Sequence, residues 1–249
     1  MFFDSHFHPQ LIPANQHAEL FAKAKAAGVN QYLSVSLDID DAAILHDLAQ
    51  EVPGLYYSVG LHPCDVNLAN CDKIKQCNLM HAVALGETGL DYYRGEVDEQ
   101  QKALQKRSFC NHLDRARITG LPVIVHTREA EADTLEILRA YQGLAYGIIH
   151  CFTGSLAMAR AAVELGWYIS FSGIITMKSG KHLIEVAKQI PKEHMLIETD
   201  SPYLTPAPYY DRRTNMPAYV VEVAKVLHAA CGITPETLTA NTHRCLQII

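Results

Sequence analysis

With 249 residues, 49% of them hydrophobic and 19% charged, the chain has the composition of a globular protein long enough to bury a large core, which excludes a disordered chain. Its formal net charge of −6 excludes a broad electrostatic footprint for long duplex nucleic acid, so any nucleic-acid contact must come from a local basic patch or from bound metal. Seven cysteines without a C-x-x-C pair suit neither a disulfide framework nor a thiolate zinc site, and read as reduced thiols of a cytoplasmic protein.

The N-terminus, Met1-Phe2-Phe3-Asp4, has no basic export region, and no apolar run approaches the roughly 18 residues of a membrane helix. No membrane association and no obligate protein partner are therefore expected. The length is what one closed (β/α)8 barrel requires, so a single domain over residues 1–249 is expected.

Along the chain one module recurs: an amphipathic helix, a glycine, a short β-rich run, then an ionisable residue. Phe2-Phe3 supplies a short first strand. Leu20, Ala24 and Ala27 follow at helical spacing, with Gly28 placed to end the helix and Val29 to Val35 as the next strand. Gly54 precedes a strand at Leu55 to Val59. His81 to Leu85 and Met195 to Thr199 are β-rich without the glycine, whereas Gly120, Gly143 and Gly166 each precede an apolar run. The longest helix is expected to start at Asp98, with Gln101 as its capping-box partner, and to bury Phe109, Leu113 and Ala116. A late helix is expected to be capped by Asn215, with Pro217 in its first turn and Val220, Ala224, Leu227 and Cys231 buried. Residues 201–215, rich in Pro, Tyr and Arg, are the longest irregular stretch and the best lid candidate. Eight strands alternating with helices, without a G-x-G-x-x-G turn, favour a TIM-type (β/α)8 barrel over an open doubly wound sheet.

Six of the eight strands run into residues able to bind metal: Asp4-Ser5-His6-Phe7-His8, His62, Glu87, His126, His150 and Asp200. In a barrel these ends converge on one mouth. The spacing of His6 and His8 puts both imidazoles on one side of an extended strand. A single histidine after an apolar run reads as a core residue, but a chance scatter of 13 histidines has no reason to place four or five at strand ends. His17, His46, His112, His182, His228 and His243 fall in helical segments and read as solvated. Imidazole and carboxylate without thiolate suit Zn²⁺, Mn²⁺, Fe²⁺, Ni²⁺ or Mg²⁺. Four histidines and two carboxylates exceed the needs of one tetrahedral ion, and Glu87 can bridge two cations about 3.5–4 Å apart, so two divalent metal ions are expected.

These residues also carry a family resemblance. The chain resembles the TatD family of metal-dependent deoxyribonucleases in the amidohydrolase superfamily, from Phe3 to about Leu246. The family's D-x-H-x-H is matched by Asp4, His6 and His8, its G-x-H-P by Gly60 to Pro63, and its G-E-x-G-L-D-Y-Y by Gly86 to Tyr93. Leu121 to Arg128, His150 to Gly154 and Glu198 to Leu204 match its L-P-V-x-x-H-x-R, H-C-F-T-G and E-T-D-x-P-Y-L. Arg213-Thr214-Asn215-Met216-Pro217 departs from the family's R-N-x-P by one inserted Thr, and the usual closing Phe is absent. The resemblance implies that His6, His8, Glu87, His126, His150 and Asp200 bind the metals, with Glu87 between them.

The expected chemistry is attack of a metal-activated water on phosphorus, with Asp200 both ligating a metal and taking the proton of that water. His62 and Arg128 are expected to face the substrate. Arg94 and Lys178 are further candidates for phosphate, and Tyr92, Tyr93 and Tyr203 for base stacking. The leading function is a phosphodiesterase or deoxyribonuclease acting on nucleic-acid ends or short oligonucleotides. The alternatives are hydrolysis of another ester or amide, such as an aminoacyl-tRNA ester, and a metal-stabilised barrel that binds without catalysis.

Overall fold

In a computed structural model, which describes residues 1–95, 97–210 and 214–248, the chain alternates strand and helix from end to end. The strands are β1 (Phe2–Phe7), β2 (Val29–Ser34), β3 (Leu55–Val59), β4 (Ala84–Asp91), β5 (Val123–Arg128), β6 (Gly147–Ile149), β7 (Tyr168–Phe171) and β8 (Met195–Ile197). The helices are α1 (His17–Ala26), α2 (Asp41–Glu51), α3 (Glu99–Thr119), α4 (Glu131–Ala140), α5 (Leu156–Glu164), α6 (Lys181–Ala187), α7 (Val220–Cys231) and α8 (Pro235–Leu246). All seven neighbouring pairs are parallel, in the order β1 to β8. This is the expected TIM-type (β/α)8 barrel. Its connection from β3 to β4 carries two 3-10 turns, Pro63–Asp65 and Lys73–Lys75, and no α-helix.

The barrel closes between its first and last strands just beyond β8. There the His8 amide donates to the Ser201 carbonyl at 2.8 Å and the Asp200 amide to the His6 carbonyl at 2.9 Å. A parallel bridge joins Phe7 to Ser201. Side chains reinforce the seam: buried Asp4 accepts the Thr199 amide at 2.8 Å and the Thr199 hydroxyl at 2.6 Å.

Two apolar layers follow from period-two alternation in the strands. Phe3, Leu33, Ala84, Ile124, Ile148, Tyr168 and Leu196 form one cluster with Cys245 and Leu246 of α8, with Tyr56 of β3 packed against it, and fill the barrel lumen. The opposite strand faces pack outward on the helices through the larger cluster that contains Leu20, Leu45, Phe109, Leu138, Trp167 and Leu227.

The glycines expected at helix-to-strand turns behave as read: Gly28, Gly54, Gly120, Gly143 and Gly166 all have φ between +71° and +90°. Other expectations are corrected by tertiary contacts. The fourth strand starts at Ala84 rather than His81 and continues through Glu87 to Asp91. Asp98 does cap α3, accepting the Gln101 amide at 2.7 Å, but the Gln101 side chain donates to the Val66 carbonyl at 2.8 Å instead of returning to the cap. Asn215 does not cap α7, which begins after a 3-10 turn at Pro217–Tyr219. Its amide instead donates to the carbonyls of Thr199 and Tyr203, at 2.9 and 2.6 Å, tying the long loop to the end of β8. Cys231 is only partly buried.

His112 is the largest departure, because it is fully buried in α3 rather than solvated. Its Nδ1–H donates to the Ser108 carbonyl at 2.7 Å and its Nε2 accepts the Leu61 amide at 3.3 Å, so the ring is wedged between α3 and the end of β3. Burial pulls its pKa down to about 4. The unfolded chain therefore binds a proton in a range where the native ring stays neutral. The associated stability is complete above about pH 6.5 and is lost as pH falls towards 4, a difference of about 3 kcal/mol. Denaturant titrations at pH 7 and pH 4.5 should show the native protein losing more stability than His112→Gln, and equal losses would refute this account.

Candidate metal centre

Glu87 occupies the middle of β4, at a register shift between Leu85 and Thr88 in the pairing with β5. The backbone approach that admits it needs glycine. Gly86 has φ +130°, and a Cβ on Gly60 would overlap the Gly86 backbone. The strand thus delivers a carboxylate into the mouth with almost none of its side chain exposed.

Each oxygen of Glu87 faces a different set of imidazoles. Oε2 lies 3.4 Å from His6 Nε2 and 3.8 Å from His8 Nε2. Oε1 lies 2.8 Å from His150 Nε2, 3.0 Å from His126 Nδ1 and 3.5 Å from His62 Nε2. Asp200 joins the first set, with Oδ1 3.3 Å from His8 Nε2 and 3.9 Å from His6 Nε2. His6 and His8 are drawn together by their spacing in the chain, Nε2 to Nε2 being 3.2 Å. Of the residues expected at the site, His6, His8, His62, Glu87, His126, His150 and Asp200 are all brought to this one place.

Burial alone would raise the Glu87 carboxyl, but His150, His62 and His126 outweigh it and hold it well below the usual carboxylate range. Asp200 is likewise lowered, burial being overcome by the hydrogen bond from His8 and the charges of His6 and His8. Burial lowers His62 to about 4, and His6 is lowered by burial and by His150. His150, His8 and His126 move upward, because neighbouring carboxylates outweigh burial.

Behind the ring stand residues that fix its orientation and were not assigned from the sequence. Asp91 Oδ2 bonds His126 Nε2 at 2.9 Å, directing Nδ1 towards Glu87. Glu198 Oε1 accepts from His150 Nδ1 at 3.3 Å and from the Cys151 amide at 2.7 Å. The His8 Nδ1–H donates to the Val35 carbonyl at 2.9 Å, which directs its Nε2 to the centre. His6 Nδ1 and Glu198 Oε2 are buried without hydrogen-bond partners among the described residues. A signal existed for Glu198, which stands two residues before Asp200 in the same motif block.

Ligand atoms of His6, His8 and Glu87, and separately of His62, Glu87 and His126, lie within 4.8 Å of one another. This nitrogen and oxygen donor set fits hard or borderline divalent cations, and a carboxylate with a histidine group on each oxygen has the form of a bridge. Cys151, beside His150, does not add a thiolate: its Sγ sits 3.2 Å from the Ser172 hydroxyl, and burial followed by the charges of Asp200 and Glu198 pushes its thiol well above the ordinary range. Asp200 and Cys151 both hold positive φ, +55° and +43°, so two of the turns at the mouth sit in sparsely populated conformations.

The ring forms the floor of a cavity of about 600 Å³. Arg94, Arg128, Thr153 and Tyr203 line its walls. Arg128 stacks on Tyr93 at 3.7 Å. Two expected contacts are corrected. The Tyr92 hydroxyl donates to Asp133 at 2.7 Å, outside the cavity, and Lys178 lies in a 3-10 turn that does not line it. Arg213 lies outside the described residues.

A parallel eight-stranded barrel with histidines and carboxylates gathered at the C-terminal ends of its strands has the architecture of a metal-dependent hydrolase. The chain belongs to the TatD-related DNase family, which it matches over residues 3–247. It is 38% identical to the metal-dependent hydrolase YcfH of Escherichia coli strain K12 over 90% of this chain and 84% of that protein. It is 34% identical, over 92% of this chain and 90% of the relative, to the 3'-5' ssDNA/RNA exonuclease TatD of Salmonella typhimurium. The crystal structure of YJJV, a TatD homologue from E. coli K12, superposes with a TM-score of 0.90 at 26% identity, covering 100% of this chain and 98% of that one.

Orienting carboxylates behind metal-binding histidines typically contribute about 10–100-fold in metal affinity. Titration calorimetry of metal-stripped protein with Mn²⁺ should show a loss of that order in Glu198→Gln. Equal affinity would mean that Glu198 only braces the Cys151 turn.

Proposed function

We propose that the protein is a divalent-metal-dependent phosphodiesterase acting on the ends of single-stranded nucleic acid or on short oligonucleotides, with His6, His8, Glu87, His126, His150 and Asp200 holding two cations and Glu87 between them. The observation that carries this reading is the division of Glu87, His6 and His8 on one oxygen and His126 and His150 on the other. The nitrogen and oxygen donors are compatible with Zn²⁺, Mn²⁺, Fe²⁺, Ni²⁺ and Mg²⁺. The relative named as a single-strand exonuclease supports the substrate class.

Two cations held by these residues would supply Lewis-acid polarisation of a phosphoryl oxygen and would acidify water from a pKa of 15.7 towards about 7. The chain supplies orientation and proton transfer. Asp200 is the acceptor of the proton of the attacking water, since its side chain is 14% exposed to the cavity against 3% for Glu87. The new bond joins the water oxygen to phosphorus, and the bond to the leaving ester oxygen breaks. The leaving oxygen takes its proton from solvent. His62, neutral at pH 7 because its pKa lies near 4, is placed to donate or accept a hydrogen bond at a phosphate without adding charge. Arg128, held by Tyr93, is placed to offer its guanidinium to a phosphate at the wall.

The test is hydrolysis of end-labelled single-stranded DNA by metal-stripped protein with Mg²⁺, Mn²⁺ or Zn²⁺ restored. Trimming should return with metal, and Asp200→Asn should lower kcat by about 10²-fold or more. A fully metallated protein that leaves DNA and RNA intact but cleaves carboxylic esters or amides would replace phosphorus with carbon as the reacting centre.

A further inference from the structure

The cavity above the ring does not end at its wall. A second cavity of about 660 Å³ adjoins it, and the two share Cys64 and Arg94. The second is walled by the turn at Asn67 to Ala69 on one side and by Val97, Gln100 and Leu104 on the other. Its position follows from the fold. The β3-to-β4 connection has only 3-10 turns, and the side of α3 beside that connection is left with a groove.

The pairing of cations distinguishes this groove from the surface around it. Along α3, Lys102 pairs with Glu99 at 2.8 Å, Lys106 with Asp133 at 2.8 Å, and Arg107 with Asp72. Arg94 and Arg128 have no carboxylate within ion-pair distance among the described residues, although Asp65 acts on Arg94 from farther away. Two unpaired guanidiniums therefore face the mouth and its junction with the groove, while neighbouring cations are neutralised. Leu68, 69% exposed, and the exposed Gln100 amide offer an apolar patch and a polar one beyond the junction.

Resting on the phosphodiesterase reading, we infer that this lateral groove binds the trailing nucleotides of a single strand whose terminal phosphodiester lies at the metal centre. Arg94 meets the phosphate at the junction, Leu68 packs on the next sugar or base, and Gln100 faces base edges without selecting a sequence. Each cavity falls within the roughly 300–1,000 Å³ of small-molecule sites, which gives room for a nucleotide rather than a duplex. Charge on the strand is met at the junction alone, in keeping with a chain of net charge −6.

The test compares a dinucleotide with an octanucleotide, using the metallated full-length protein. An apolar contact at Leu68 and a phosphate contact at Arg94 beyond the terminal diester should make KM favour the octanucleotide about tenfold. Leu68→Glu combined with Gln100→Glu should erase most of that preference. In parallel, anisotropy of a labelled octanucleotide on metal-stripped protein should show the salt slope of binding reduced by roughly 0.7 in Arg94→Gln, the value of one single-strand phosphate contact. Cleavage of both lengths with a preference that neither variant alters, or equal losses on both lengths, would overturn the groove and leave the phosphodiesterase reading standing. Failure of the native protein to cleave either length would overturn that reading and the groove with it.

Discussion

A carboxylate buried to the degree of Glu87 needs compensation, and among the described residues neither arginine nor lysine is paired with it. Five imidazoles do the work instead, distributed over its two oxygens. Everything else at the mouth can be understood from that constraint. The glycine pair at Gly60 and Gly86 makes the space, the closed ring of strands brings the imidazoles from four strand ends, and Asp91, Glu198 and the Val35 carbonyl turn three of the rings so that the second nitrogen faces inward. Removing one imidazole changes the field felt by the remaining groups, so substitutions within the ring are expected to be non-additive.

The same arrangement separates two kinds of acidic residue that the sequence writes alike. Glu87 and Asp200 touch the centre, whereas Asp91 and Glu198 act through a histidine, and Asp4 acts through the backbone and hydroxyl of Thr199. Families of catalytic chemistries built on such barrels vary the loops above a floor of this kind. Here the wall above the floor carries Arg94, Arg128 and Tyr203.

Much of this was legible in the chain. Apolar periodicity and the turn glycines located all eight strands, and the histidines at strand ends pointed to one mouth without any knowledge of pairing. What stayed hidden depended on contacts distant in sequence. His112 reads as one more helical histidine until the Leu61 amide, 51 residues away, is seen to meet it. Asn215 has the right identity and position for a helix cap, but the carbonyls at the end of β8 compete for its amide more effectively. The limits of β4 were misjudged because a strand interrupted by Gly86 and Gly89 does not look β-rich, although close backbone approach there requires glycine. Glu198 and Asp91 were visible only as motif letters, since their partners lie 48 and 35 residues away.

The seam between β1 and β8 has a consequence for the order of assembly. His6 and His8 come from the first strand, while Asp200, whose amide is bonded to the His6 carbonyl, comes from just after the last. Nearly two hundred residues separate the two halves of this cluster, and the loop-closure entropy of bringing them together is met only when the final strand docks. A chain folded through β7 would present His6, His8, Glu87, His126 and His150 with one side of the centre open. On the proposed two-cation reading, the full ligand set would arrive last, coupled to ring closure.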